Sequence, residues 1–234
     1  QHENPMNAAD NHIVFKTAAK EIALQQNLVA TFMSKLDHSL GGSSCHIHTS
    51  LFTKNANGKK SNLNLFDCHP EKFEYFLGGL LKYFRDVFLF FAPTINSYKR
   101  LQPSTFAPIR SSWGEDNRTV AFRTVGEGKS RRIENRIPGA DVNPYLAYSA
   151  ILAAGMQGIK EKVKPVENAI TGNDYENLTE STFPQTLEES TEIFSKSSFV
   201  NEVFGSTVQE HYSNYGRQSY LAARVNVSDF ERRQ

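Results

Sequence analysis

The stretch Gly128–Arg136, GKSRRIENR, restricts the fold more than any other, because it places five charged side chains on what reads as one short strand. Side chains alternate along an extended chain, so Arg132, Glu134 and Arg136 share one face while Ile133 and Asn135 share the other. An unpaired buried carboxylate is costly. A glutamate between two inward arginines therefore requires ion-pair partners or a metal ion, with the arginines left to grip an anionic ligand. Taken alone, the stretch is equally compatible with a solvated charge cluster, and the rest of the chain decides between the two.

The 234 residues are 39% hydrophobic and 12% aromatic, enough to bury a substantial core. A formal net charge of +1 gives no electrostatic case for nucleic acid or an anionic membrane surface, so binding must be local. Cys45 and Cys68 lack metal-site spacing and suit a reducing compartment, and the chain has no apolar run long enough to span a bilayer; a cytoplasmic protein is expected. The chain opens on QHENP with no initiator Met, as a fragment of something longer would.

Helical spacing is expected over Ala8–Gln26, with Asn27 as a stop, and strands over Leu28–Lys35 and Cys45–Phe52. In the second strand His46, His48 and Ser50 share a face. Lys54–Asn64 reads as a surface loop and Pro70–Phe91 as one hydrophobic helix. Prolines 93, 103 and 108 punctuate loops before a strand at about Thr119–Thr124. Asn143-Pro144 starts a long apolar helix to about Val163, Lys164–Pro184 is irregular, and helices follow over Leu187–Phe204, Thr207–Val225 and from Asp229. The arrangement predicts an α+β fold, a curved and mainly antiparallel sheet with helices packed around it.

His-x-His on a strand gives a metal a nitrogen ligand with a polar neighbour, though it is also ordinary surface polarity. If the Glu134 strand lies beside it, histidine plus carboxylate suits Mg²⁺ or Mn²⁺ in a phosphate-handling site. Arg100, Arg118, Arg123, Arg131, Arg132 and Arg136 then supply the planar, bidentate recognition that carboxylates and phosphates call for.

Four segments, in order GSSCHIHTSL (42–51), NSYKR (96–100), WGEDNRTVAFR (113–123) and RRIENRIPGADVNPYLAYSAILAAG (131–155), resemble the catalytic domain of the glutamine synthetase superfamily, with ADNHIVFKTAAKEIA and ATFMSK fitting the preceding part. The resemblance implies ATP-dependent ligation, in which the γ-carboxylate of glutamate is phosphorylated and an amine displaces phosphate. By the same resemblance Glu3 corresponds to a carboxylate ligand of one Mg²⁺ (or Mn²⁺) ion, and His46 and Glu134 to ligands of a second. His48, Ser50, Lys129 and Arg132 correspond to the nucleotide and phosphate site. Gly42, Arg100 and Arg136 correspond to the glutamate site, and Arg118 and Arg123 to arginines that neutralise the transferred group. A spacing of five places Arg118 and Arg123 on opposite faces of a regular strand. Either Arg118 precedes the strand in a loop, or one of the two is structural.

Two departures matter. Where ammonia-using relatives carry a glutamate in the loop after NSYKRL, this chain reads QPSTFAP with Phe106 in its place, which resembles the branch that joins glutamate to organic amines, the γ-glutamylpolyamine or γ-glutamylamide synthetases. A phenyl ring cannot accept a proton but can line an apolar amine pocket. An organic amine is therefore the expected nucleophile, ammonia the alternative, and a non-catalytic structural relative the second alternative. The family's small N-terminal β domain and its E-x-E strand are also missing from residues 1–234, so this part alone is expected to be inactive, and the whole protein to form a ring-shaped homo-oligomer.

Overall fold

Alternation along Arg132–Asn135 organises the sheet that carries the site. In the computed structural model, which describes residues 3–54, 57, 60–103, 105–166, 168–176, 181–229 and 231–233, four strands lie in the order β1 (Ile47–Thr49), β6 (Arg132–Asn135), β5 (Phe122–Val125), β4 (Trp113–Glu115). The β1–β6 and β6–β5 pairs are antiparallel and β5–β4 is parallel. The register sets His48 opposite Glu134, Glu134 opposite Arg123, and Arg123 opposite Gly114, so one row of side chains crosses the sheet. The other face holds Ile47, Phe122, Ile133 and Asn135, all buried.

The parallel pair is unusual because only residues 116–121 connect its strands, where a crossover normally takes a dozen or more. The return is made by Asp116, in the left-handed region at φ 45°, and by Asn117, whose side-chain oxygen accepts from the Thr119 amide at 2.9 Å and whose amide reaches the carbonyls of Ile170 and Gly172.

A second pair, β2 (Phe52–Lys54) and β3 (Lys60–Asn64), is an antiparallel hairpin where a surface loop was expected; residues 55, 56, 58 and 59 of that loop lie outside the described residues. Cross-strand bonding, not hydrophobicity, recruits this polar stretch. The expected strand over Leu28–Lys35 does not form. Its last residues are held by a side chain in place of a ladder: Asn96 accepts from the Lys35 amide at 2.9 Å and donates to the Lys35 carbonyl at 2.7 Å.

Helix α1 (Pro5–Gln25) starts at Asn4, whose side chain accepts from the Asn7 amide, and ends at Asn27 with φ 57°. The single helix expected from Pro70 to Phe91 is instead two, α3 (Pro70–Tyr83) and α4 (Phe88–Phe91), after a short α2 (Leu65–Cys68). No proline or glycine marks the break: residues 87–92 are buried all round, so the core fixes their path and the apolar run hides it. The long helix α6 (Pro144–Glu161), placed after α5 (Ile95–Arg100), packs on α3 with backbones in contact. A Cβ at Gly79 would lie 2.2 Å from the Ala154 carbonyl oxygen. Helices α7 (Leu187–Lys196), α8 (Ser198–Phe204) and α9 (Ser206–Arg224) close the chain. From Asp229, residues 231–233 form one 3₁₀ turn, and 230 and 234 lie outside the described residues. Edge-to-face phenylalanines join the layers, with Phe66 on Phe76 at 5.2 Å and Phe90 on Phe194 at 4.9 Å between ring centres. No helix among the described residues is long and apolar enough to cross a membrane.

Candidate active site

Glu134 is the centre of the site. Its side chain is 4% exposed, and its Oε1 lies 3.1 Å from His46 Nδ1 and accepts from Arg136 Nη1 at 3.0 Å, while Oε2 accepts from Arg123 Nη1 at 3.0 Å. His48 Nε2 lies 3.7 Å from Oε1. Burial pushes this carboxyl up, but hydrogen bonds from His46 and Arg123 and the charges of Arg136 and His48 outweigh it, holding Glu134 well below the usual carboxylate range. The face shared by Arg132, Glu134 and Arg136 is the one the alternation predicts, and it meets the His46/His48 face of β1.

His48 is held by Arg132, whose Nε donates to His48 Nδ1 at 3.1 Å. Burial lowers the His48 pKa, opposed by Glu134 and reinforced by the neighbouring cations, and the bond from Arg132 makes Nδ1 the acceptor. Arg123 also pairs with the exposed carboxylate of Asp116, which a regular reading of the motif passes over; only its place beside the Asn117 turn marks it. Arg118 sits in the turn before β5, exposed, so the first of the two alternatives for the arginine spacing holds. Arg118 and Arg132 both act electrostatically on Asp116.

Other expected residues brace the site. Arg100 is 3% exposed and donates to the carbonyls of Ile137 at 2.7 Å and Arg136 at 3.0 Å, so it supports the backbone behind Arg136, where direct contact with a carboxylate was expected. Burial lowers its pKa to about 10, leaving it charged. Gly42 packs on it, since a Cβ there would lie 2.8 Å from Arg100 Cγ. Asp141 fastens this layer, accepting from Thr94 Oγ1 at 2.7 Å, from Ser97 Oγ at 2.6 Å and from Ser34. Ser50 donates to the Arg131 carbonyl at 2.9 Å. Asn64, absent from the expected site, is buried and donates to the carbonyls of Gly128, Lys129 and Arg131, which shapes the 3₁₀ turn Gly128–Ser130 carrying the exposed Lys129.

Phe106 is 81% exposed and sits in the left-handed region at φ 59°, a conformation that costs a bulky side chain on the order of 1–3 kcal/mol. Its ring meets Tyr175 edge-on at 6.3 Å.

Four arginines against two carboxylates leave surplus positive charge, and Arg136 Nε is buried with no hydrogen-bond partner among the described residues. An anionic ligand fits this set. A divalent cation fits it in part: His46 and Glu134 offer an imidazole and a carboxylate, but among the described residues no group of three or more His, Cys, Asp or Glu side chains could hold a metal ion, and Glu3 does not join them.

The glutamine synthetase catalytic-domain family matches residues 1–234 throughout. The chain belongs to the glutamine synthetase family. It is 41% identical over its whole length to gamma-glutamylethanolamide synthetase GlnA4 of Streptomyces coelicolor, covering 49% of that protein. It is 38% identical, over 91% of its length, to glutamate–isopropylamine ligase of a Pseudomonas species, covering 47% of that protein. The glutamine synthetase of Pyrococcus abyssi is 37% identical over 92% of the chain and 49% of the relative. Among solved structures, ligand-free GmaS superposes with a TM-score of 0.85 at 30% identity, over 98% of this chain and 53% of GmaS, and a GmaS–ADP complex does so with 0.85 at 28%, over 100% of this chain and 55% of that one. The chain spans about half the length of the curated relatives it matches.

Proposed function

We propose that this chain carries part of the active site of an ATP-dependent ligase that joins the γ-carboxylate of glutamate to an organic amine through a γ-glutamyl phosphate. The observation that carries the reading is the row His48–Glu134–Arg123 with Arg136 beside it, a buried carboxylate wrapped in cations with positive charge to spare. Arg136, whose Nε is unpaired among the described residues, holds a substrate carboxylate, and Arg100 fixes its backbone. Arg118 and Arg123 lie where negative charge gathers on the transferred phosphoryl group, and Arg132, His48, Ser50 and Lys129 line the nucleotide side. His46 and Glu134 would hold Mg²⁺ or Mn²⁺ together with carboxylates from outside the described set, Glu3 serving a second ion; when bound, the ion screens phosphate charge.

Exposed Phe106, which offers a ring and no carboxylate to an incoming nucleophile, favours an organic amine over ammonium, and the ethanolamide and isopropylamine relatives support that choice. A ring-shaped homo-oligomer in the cytoplasm, acting on glutamate and an amine without nucleic acid or membrane, completes the proposal. The test is ATP-dependent phosphate release by the full-length protein with glutamate plus ethanolamine, isopropylamine, putrescine or ammonium. Turnover with organic amines is expected. Efficient turnover with ammonium alone would shift the reading to a glutamine synthetase, and absence of Mg²⁺-dependent ATP binding would make the protein a structural relative.

A further inference from the structure

Tyr175 sits on a turn far along the chain from the site motifs, yet its hydroxyl lies 2.7 Å from the Phe106 carbonyl oxygen and 3.2 Å from that of Arg118. One hydroxyl group thus bridges the loop that presents Phe106 and the turn that presents Arg118. The tyrosine is itself rigidly based. The neighbouring Asp174 is buried and accepts from Arg110 Nε at 2.8 Å and Ser112 Oγ at 2.5 Å, while its amide donates to Thr119 Oγ1 at 2.8 Å. The Tyr175 amide donates to Asn173 Oδ1 at 3.1 Å, and Asn117 reaches across to the carbonyls of Ile170 and Gly172. Residues 170–175 are therefore stitched to 110–119 before the tyrosine reaches out. What it reaches needs holding, because Phe106 is exposed, left-handed in φ and set T-shaped to the Tyr175 ring.

We infer that Tyr175 is a positioning and specificity-determining residue, whose hydroxyl locks the Phe106 loop and the Arg118 turn into one wall so that the amine is selected and the phosphoryl charge met in the same geometry. This rests on the ligase reading above. The hydroxyl acts through two backbone carbonyls, so its loss frees both elements without removing either side chain.

The experiment is Tyr175→Phe in the full-length protein, which keeps the ring against Phe106 and removes only the hydroxyl. Initial rates with glutamate, ATP and ethanolamine or isopropylamine are measured beside amide hydrogen exchange. The expected result is a loss of roughly tenfold or more in kcat/KM for the organic amine, with the KM for ATP unchanged and the preference for organic amine over ammonium narrowed. Faster exchange confined to residues 105–108 and 117–120 should accompany it. A merely structural tyrosine would instead lower all rates and the melting temperature together without changing that preference, and this outcome overturns the inference. So does a variant indistinguishable from an active wild type, which leaves the ligase reading standing. A wild type inactive with every amine overturns the ligase reading, and the inference falls with it.

Discussion

Replacing Glu134 by Gln tests the centre of the site through stability alone. The carboxylate is 4% exposed and engages His46, Arg123 and Arg136 at 3.0–3.1 Å. A glutamine occupies the same volume but loses the charge, and its amide end sets donors against the arginine donors. Arg123 keeps Asp116 as a partner, so most of the penalty falls on Arg136, left with His46 and an Nε already unpaired among the described residues. Breaking a buried pair by removing one partner costs about 3–5 kcal/mol. In a chain of this size each kcal/mol lowers the melting temperature by about 2–4 °C, so E134Q should melt some 6–20 °C below wild type. The assay is reversible denaturation of both proteins at neutral pH without nucleotide or metal, followed by tryptophan fluorescence from Trp113 and by circular dichroism. A drop of less than about 2 °C would place E134Q among ordinary surface substitutions and refute the claim that this carboxylate holds the arginines in place.

Gly79→Ala should cost about 1–3 kcal/mol, because its Cβ would enter the Ala154 carbonyl and force α3 from α6; an unchanged denaturant midpoint would show that the helices can separate freely. His12, with Nε2 buried and unpartnered among the described residues, has its pKa lowered by burial and then by Lys16. Folded chain then binds this proton less readily than unfolded chain, so stability from His12 is present above pH 6.5 and lost as pH falls below it; His12→Asn should flatten that decline in melting temperature. Phe106→Glu should raise turnover with ammonium relative to ethanolamine, and a preference left unchanged would remove Phe106 from the amine pocket.

The period-two reading of RRIENR and of CHIHTS needed no tertiary knowledge, because alternation puts His46 with His48 on one face of their strand and Arg132, Glu134 and Arg136 on one face of theirs; that the two strands are neighbours came from the pairing of β1 with β6. The same logic exposed the conflict between Arg118 and Arg123, which the turn at 117–120 resolves. What stayed hidden was whatever depends on distant partners. Leu28–Lys35 has strand composition but meets the side chain of Asn96 in place of a strand. The role of Arg100 turns on two carbonyls 36 and 37 residues away, and that of Tyr175 on carbonyls 69 and 57 residues away. Helix α5 could have been found: Thr94 and Ser97 cap it reciprocally, a spacing visible in the chain but masked by the motif it carries.

The short return between β4 and β5 makes its own length a constraint. Phe122 points into the phenylalanine core and Arg123 to Glu134, so one residue gained or lost within 116–121 would exchange the two, driving a guanidinium into hydrocarbon and a phenyl ring into the ligand's path. Relatives that keep this chemistry should therefore vary the composition of that loop far more readily than its residue count.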